Sequence, residues 1–298
     1  MPADALKCKE CSATYPLEAR YVCNRCFGPL EVAYSPPTSS AGELKRRIQA
    51  GPHTLWRYAS PTHFLALSGR LLPVLWAAAA IGIAAGLALG LFWAPTDTQQ
   101  GEAYRILYVH VPAAWIAMVC YGAMAFWALW GLAWKTRLSF VLMRALAPTG
   151  ALFALLTLLT GSLWGRPTWG AWWVWDARLT SALLLALLYL GFLALTAAVD
   201  TPDDARRGDH AGALLALVGA LNLPVLYFSV SWWNTLHQGA SITPAGSRIA
   251  PEMLAGLLLA TLGFWAYAGA AVLTRARLLL QARADSEARW PHALESAA

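Results

Sequence analysis

The chain has 298 residues, of which 58% are hydrophobic and only 13% are charged, and its mean hydropathy is +0.47. Soluble domains carry about 25% charged residues, so the composition argues against an ordinary soluble enzyme. The net charge of +6 does not indicate nucleic-acid binding, because most basic residues lie near the ends of apolar runs and no groove-reading motif accompanies them. We therefore predict a membrane protein with no nucleic-acid partner.

The chain opens with a polar segment that contains two CxxC pairs, Cys8 with Cys11 and Cys23 with Cys26. Each pair can present two thiolates from a tight turn, and four thiolates are a common ligand set for structural Zn²⁺. A disulfide framework is the alternative, and the reducing cytoplasm predicted below for this segment disfavours it. The sequence thus predicts a zinc-ribbon-like head over residues 1–34, followed by a linker over 35–70.

Three stretches of this segment, CKECSATYP, YVCNRCFGPLEVAY and ELKRRIQAGPHTLWRY, resemble the amino-terminal zinc ribbon and the following segment of threonine synthases. The resemblance covers about residues 6–58. In those enzymes a pyridoxal-phosphate domain follows, whereas an apolar region follows here. The resemblance therefore implies a zinc-binding head without threonine synthase activity, and the use of the head stays open.

Six apolar runs follow the head, and each is long enough to cross a bilayer, which takes about 20 helical residues. The runs are continuous and do not alternate with period two, which favours helices over a membrane barrel. We predict an all-α membrane protein whose six transmembrane helices occupy a domain over residues 71–274, with lipid around it. The predicted spans are about 71–94, 108–134, 141–163, 179–199, 211–231 and 252–273. For the tail over residues 275–298, an interfacial amphipathic helix and a plain extension are both open.

The distribution of basic residues predicts the orientation of these helices. With six spans, 18 of the 22 Lys and Arg residues fall on the side of both termini. The other side holds four arginines, Arg105, Arg166, Arg178 and Arg248. Both termini are therefore predicted to be cytoplasmic. The first helix is expected to act as its own insertion signal, since no signal-peptide pattern opens the chain.

The segment between the third and fourth runs, WGRPTWGAWWVWDARLT, carries five tryptophans within twelve residues: Trp164, Trp169, Trp172, Trp173 and Trp175. Tryptophan is enriched at membrane interfaces, so simple anchoring is one interpretation. An interfacial belt draws its aromatics from many helix ends, however, and here they crowd one short segment shaped by Gly and Pro. The pattern favours a platform on the external side for a large, flat aromatic ligand.

Two histidines are predicted to lie on the same external side, His110 near the start of the second run and His237 after the fifth. Two imidazoles beside an aromatic platform fit axial ligation of one haem iron. The four external arginines either grip the haem propionates or anchor the interface. Asp176 either caps the fourth helix or pairs with Arg178 or Arg166.

At these residues a second resemblance becomes specific. The tryptophan segment is similar, almost word for word, to the WWD motif of haem-handling proteins in cytochrome c maturation. YRILYVHVPAAW and SVSWWNTLHQGASI are similar to the histidine segments of the CcmC (haem exporter protein C) family. The resemblance covers about residues 60–274.

This resemblance implies a non-enzymatic protein of the bacterial inner membrane that binds haem b at the outer face. His110 and His237 would be the axial ligands, and the five tryptophans would form the platform. The protein would present the haem edge to the haem chaperone CcmE, with CcmD and the CcmA/CcmB ATPase as further partners. The protein would be a subunit of a haem transporter, but active pumping by this chain alone is disfavoured, because the six runs hold almost no interior ionisable residues and no phosphate loop occurs.

Two other function classes remain as alternatives. A membrane b-type cytochrome would ligate haem with histidines of facing helices inside the membrane and cycle its redox state. A scaffold of the maturation complex would use the tryptophans as a protein-docking face and would bind no haem.

Overall fold

The structure, a computed structural model, describes residues 3–18, 22–34, 61–200, 205–239, 241–243 and 246–295. The chain separates into two compact units, Met1–Tyr58 and Ala59–Ala298. Residues 35–60, most of the predicted linker, lie outside the described residues. The remainder of that linker, from Pro61, is already helical.

The amino-terminal unit is a three-stranded antiparallel sheet in the order β2-β1-β3, formed by β1 (Ala3–Cys8), β2 (Thr14–Tyr15) and β3 (Leu30–Tyr34). Each CxxC pair occupies a turn next to this sheet. The amide of the residue after each pair, Ser12 or Phe27, donates to the carbonyl of the first cysteine at 3.0 Å. Both residues have a left-handed backbone, with φ values of 57° and 59°. The two turns are thus built alike, and each directs two thiols to one side.

The second unit is helical and confirms the predicted fold class, with six candidate membrane spans among the described residues. These spans are Phe64–Trp93, Glu102–Trp134, Arg137–Trp169, Ala177–Val199, Arg206–Trp232 and Pro251–Arg283. Its helices are α1 (Pro61–Ala88), α2 (Leu107–Trp134), α3 (Arg137–Trp169), α4 (Ala177–Val199), α5 (Arg206–Gly219), α6 (Asn222–Trp232) and α7 (Pro251–Glu295). A π-helical turn over Leu89–Trp93 ends the first span, and a 3-10 turn over Glu102–Ile106 begins the second.

The fifth span is two helices, because the backbone ladder is interrupted where α5 gives way to α6. Pro224 has no amide hydrogen, so it cannot donate to the carbonyl of Ala220. That carbonyl accepts from the amide of Leu223 at 3.0 Å, a tighter turn. The buried side chain of Asn222 donates to the carbonyl of Ser181 at 2.9 Å and ties the bend to α4.

Helices α1 and α7 lie side by side with almost no side-chain volume between them. A Cβ on Gly86 would overlap the backbone of Ala260, and a Cβ on Gly82 would lie 2.8 Å from the Cα of Gly263. Small residues of this kind let membrane helices approach closely, which maximises van der Waals contact.

The core of the helical unit lies among α2, α3, α4, α5 and α7 and contains two adjacent tyrosines. Tyr121 and Tyr189 are fully buried and meet edge to face with ring centroids 5.0 Å apart. The Tyr189 hydroxyl donates to the carbonyl of Ala117 at 2.7 Å, so its polar end is satisfied. Cys120 is also part of this core as a small buried side chain.

In the first part of the predicted tail, α7 continues unbroken beyond the apolar run. Its arginines contact α3 and α1. Arg275 donates to the Thr149 hydroxyl at 2.5 Å, and Arg277 donates to the Ser68 hydroxyl at 2.9 Å. The sequence could not show that these charges have partners inside the protein.

A buried ion-pair cluster joins four segments at the end of the bundle opposite the tryptophans. Arg144 of α3 donates to Asp200, at the end of α4, through two nitrogens at 2.5 and 2.8 Å. It also donates to Asp209 of α5 at 2.5 Å, and Asp209 in turn accepts from Arg283 of α7 at 2.8 and 3.0 Å. We name these four residues the charge cluster. The sequence indicated Arg144 only as an orientation signal and missed its carboxylate partners.

Candidate functional site

The four cysteines of the amino-terminal unit converge as one group. Their sulfur atoms all lie within 4.8 Å of one another, whereas four thiolates bonded to one zinc ion at about 2.3 Å lie roughly 3.8 Å apart. The Cys8 and Cys26 sulfurs are 3.4 Å apart, and the Cys11 and Cys23 sulfurs are 3.5 Å apart. The arrangement fits a tetrahedral metal ion with little adjustment.

A tyrosine supports this thiol group from β2. The Tyr15 hydroxyl lies 3.1 Å from the Cys23 sulfur and accepts from the amide of Asn24 at 3.2 Å. This hydroxyl contact, together with backbone donors, lowers the pKa of Cys23 to about 6. The thiolate, the form that binds metals, is therefore favoured near neutral pH.

The helical unit contains a mostly apolar cavity of about 1050 Å³, counting its open mouth. It lies at the end of the bundle where α3 ends and α4 begins, and side chains of α2, α3, α4 and α6 line it. Both predicted ligand histidines, His110 and His237, contribute to this lining. A mostly apolar lining with a few polar side chains is typical of sites that bind small molecules.

His110 enters the cavity from the first turn of α2 and is only 9% exposed. Its Nδ1 atom lies 2.9 Å from the hydroxyl of Thr160 on α3. Its ring meets the indole of Trp164 edge to face at a centroid distance of 5.6 Å. Two contacts from α3 therefore fix the position of this imidazole.

His237 enters the same cavity from the loop that follows α6. Its Nδ1 atom lies 3.0 Å from the carbonyl of Gln238, and its ring centroid lies 6.2 Å from that of Trp169. Burial lowers the pKa of His237, and the Arg178 guanidinium lowers it further. As the pH falls, the His237 imidazole therefore stays neutral longer than an exposed histidine does. The neutral form is the one that ligates metals.

The structure brings three of the five predicted tryptophans to the cavity, namely Trp164, Trp169 and Trp173. Helix α3 continues to Trp169, so this part of the segment is helical and not a loop. Trp172 and Trp175 are 56% and 75% exposed and lie outside the lining. Some tryptophans of this segment therefore line the cavity, whereas the others lie on the outer surface.

Comparison with known proteins places this arrangement in a family. The sequence model of the family described as "Heme exporter protein C" matches residues 54–291. The chain belongs to the Heme exporter protein C family. It is 51% identical to a Heme exporter protein C of Bradyrhizobium diazoefficiens over 212 residues, 71% of this chain and 79% of that protein.

Two further relatives match most of their own length. Heme exporter protein C of Haemophilus influenzae is 43% identical over 80% of this chain and 95% of its own. The Escherichia coli K12 protein of the same name is 43% identical over 76% of this chain and 91% of its own. The cysteine head lies before the region that the family model matches.

Within this family member, the four arginines predicted to be external occupy different environments. Arg178 lines the cavity and donates to the carbonyl of Leu226 at 2.7 Å. Arg105 binds the end of the first span, through the carbonyls of Gly90 and Ala94, and also pairs with Glu102. The other two are exposed and outside the cavity lining. These are Arg166, which donates to the Gly170 carbonyl, and Arg248.

Asp176 has the helix-capping role that was one of its two interpretations. Its Oδ1 atom accepts from the amide of Leu179 at 2.8 Å, at the start of α4. A side-chain acceptor there satisfies one of the free amides of the first turn.

Sequence reasoning missed the side chains that support the predicted ligands. Gln100, two residues before the second span, accepts from the Trp164 indole at 2.8 Å. Thr160 and Gly161 lie one α3 turn before Trp164 and face His110. No motif marks them, because their role depends on how α2 and α3 pack.

Proposed function

We propose that this member of the Heme exporter protein C family binds haem b as cargo in the cavity, with His110 and His237 as the axial ligands. The observation that carries the proposal is that two imidazoles, from a helix and a separate loop, line one apolar cavity together with three tryptophans. Imidazole is a common axial ligand of haem iron, and indole rings suit the faces and edges of a porphyrin.

Two hydrogen-bond donors in the cavity lining suit the haem propionates. Arg178 lies there without a carboxylate at ion-pair distance in the described part of the chain. The buried Nε1 of Trp173 has no hydrogen-bond partner among the described residues. A carboxylate of the ligand would satisfy both groups, since arginine and indole are donors without acceptor capacity.

We further propose that the protein acts by presentation at the outer face of the bacterial inner membrane. The excess of basic residues at the other end of the bundle supports this orientation. The open mouth of the cavity leaves one haem edge accessible to the chaperone CcmE, with CcmD and the CcmA/CcmB ATPase as further partners. In this role the protein holds and delivers haem and catalyses no reaction itself.

The test is to purify the full chain in detergent from haem-replete cells, with and without CcmE. We expect a haem absorption band in the purified protein, and covalently haem-loaded CcmE only where both proteins are made. Stable haem that cycles between redox states and never reaches CcmE would instead identify a membrane cytochrome. Purified protein without any haem would overturn the proposal and favour a scaffold.

A single glycine permits the His110 position, and its replacement tests the site geometry. A Cβ on Gly161 would lie 2.9 Å from the Cε1 atom of His110, which is too close. We expect Gly161→Ala to displace the ring and weaken haem retention by about tenfold. Gly122→Ala is the matched control, because its Cβ would meet only Leu223 at 3.7 Å. Equal haem content in both purified variants would contradict the assigned position of His110.

For the head we propose a structural zinc site formed by Cys8, Cys11, Cys23 and Cys26. We expect about one zinc per chain by metal analysis of the purified protein, and none in a Cys8→Ser/Cys23→Ser variant. Cys120→Ser is the control that removes a thiol elsewhere and keeps the zinc. Because metal binding holds such small units together, a chelator is expected to make the head sensitive to protease. Full-length protein without zinc would refute the assignment.

A further inference from the structure

We propose that Thr160 is a positioning residue for His110. Its hydroxyl fixes the tautomer and the ring orientation of this histidine so that Nε2 is the nitrogen offered to the cavity. The inference rests on the proposed haem function and adds to it a residue of α3 that does not itself touch the iron.

Counting protons on the Thr160 hydroxyl determines the direction of the contact. The hydroxyl carries one hydrogen, and it donates that hydrogen to the carbonyl of Leu156, one helical turn earlier, at 2.7 Å. At 2.9 Å from His110 Nδ1, the same oxygen can then act only as an acceptor. Nδ1 therefore carries the ring proton, and in neutral imidazole the lone pair is left on Nε2.

The surroundings make this selection strong. His110 and Thr160 are each only 9% exposed, so water competes poorly for either group. Threonine is restricted about χ1 in a helix, and its bond to the Leu156 carbonyl fixes the hydroxyl further. Ligand histidines commonly donate their second nitrogen to an oxygen, and loss of that partner costs about 10–100-fold in metal affinity.

His237 also has an oxygen beside its Nδ1 atom, but this oxygen belongs to the backbone. Its Nδ1 atom contacts the carbonyl of the adjacent Gln238 at 3.0 Å, which again leaves Nε2 for the cavity. No side-chain substitution can delete a backbone carbonyl. Of these two histidines, only His110 has a side-chain partner, Thr160, that a substitution can remove.

The experiment compares Thr160→Val, which replaces the hydroxyl by a methyl group of similar size, with Thr160→Ser, which keeps the hydroxyl. Each full-length variant is purified in detergent, and binding of added haem is titrated by absorption. Electron paramagnetic resonance then reports the spin state of the ferric iron. We expect Thr160→Val to bind haem about tenfold more weakly and to gain a high-spin fraction. Thr160→Ser should match the wild type in both readouts.

The effect of Thr160→Val is set at the lower end of the range because the edge-to-face contact of the His110 ring with Trp164 remains. A valine variant with wild-type affinity and an unchanged low-spin signal would overturn the inference, as would a serine variant as impaired as the valine one. A merely structural role would lower the yield or thermal stability of Thr160→Val without changing its spin state. If instead the wild type binds no haem, the proposed function itself fails, so the two failures are distinguishable.

Discussion

Replacement of both His110 and His237 by alanine is expected to abolish the haem absorption band of the purified protein and the loading of CcmE. Each single replacement removes one of the two imidazoles that line the cavity, so one axial position loses its protein ligand. We expect each single variant to keep a weaker, shifted band with a high-spin component. The measurement is the absorption spectrum per mole of protein, recorded side by side for the wild type and the three variants.

His210→Ala is the matched control for these substitutions. His210 is exposed on α5, contacts the Arg206 carbonyl at 2.8 Å and does not line the cavity. Its replacement removes a histidine from the same protein without touching the proposed site, and the haem band should be unchanged. If the double variant keeps the wild-type band while remaining monodisperse and helical, the iron ligands lie elsewhere and the assignment is wrong.

The sequence predicted the membrane spans well because their signal is local. A lipid-exposed helix needs about 20 apolar residues in a row, and the predicted fourth run over 179–199 agrees with the span Ala177–Val199. The grouping of His110 and His237 at one end also followed from counting spans. With an even number of crossings between two positions, both must lie on the same side.

The sequence could not predict which residues line the cavity, because this depends on where the helices end and how they face each other. Helix α3 continues to Trp169 and then stops at Gly170, whose φ of 78° is left-handed. This stop turns Trp172 outward while Trp173 stays in the cavity lining. The same limit applies to Arg105. The sequence placed it on the same side of the membrane as Arg178, but in the structure Arg105 donates to backbone carbonyls of the first span.

The charge cluster at the other end of the bundle should dominate the stability of the helical unit, and Asp209→Asn tests this. Asp209 is 4% exposed and accepts hydrogen bonds from both Arg144 and Arg283. In the wild type, two arginines face two aspartates. The asparagine variant has nearly the same shape but removes the negative charge that both Arg144 and Arg283 contact.

Breaking a buried ion pair by removing one partner costs about 3–5 kcal/mol. The Asp200 and Arg283 side chains are 27% and 26% exposed, so solvent screening reduces the loss to about 2–3 kcal/mol. For a unit of this size, each 1 kcal/mol shifts the unfolding midpoint by about 2–4 °C. We therefore expect a midpoint roughly 5–10 °C lower for Asp209→Asn in detergent, followed by tryptophan fluorescence.

Two further variants separate charge balance from damage to packing. Arg283→Met combined with Asp209→Asn again gives one arginine facing one aspartate, so the double variant should be less destabilised than the sum of the single effects. Arg207→Ala, at an exposed position of α5, should stay within about 0.5 kcal/mol of the wild type. A midpoint for Asp209→Asn equal to that of Arg207→Ala would show that the cluster is a surface feature. The haem band is expected to persist in all of these variants below their unfolding midpoints, because the cluster and the cavity lie at opposite ends of α3.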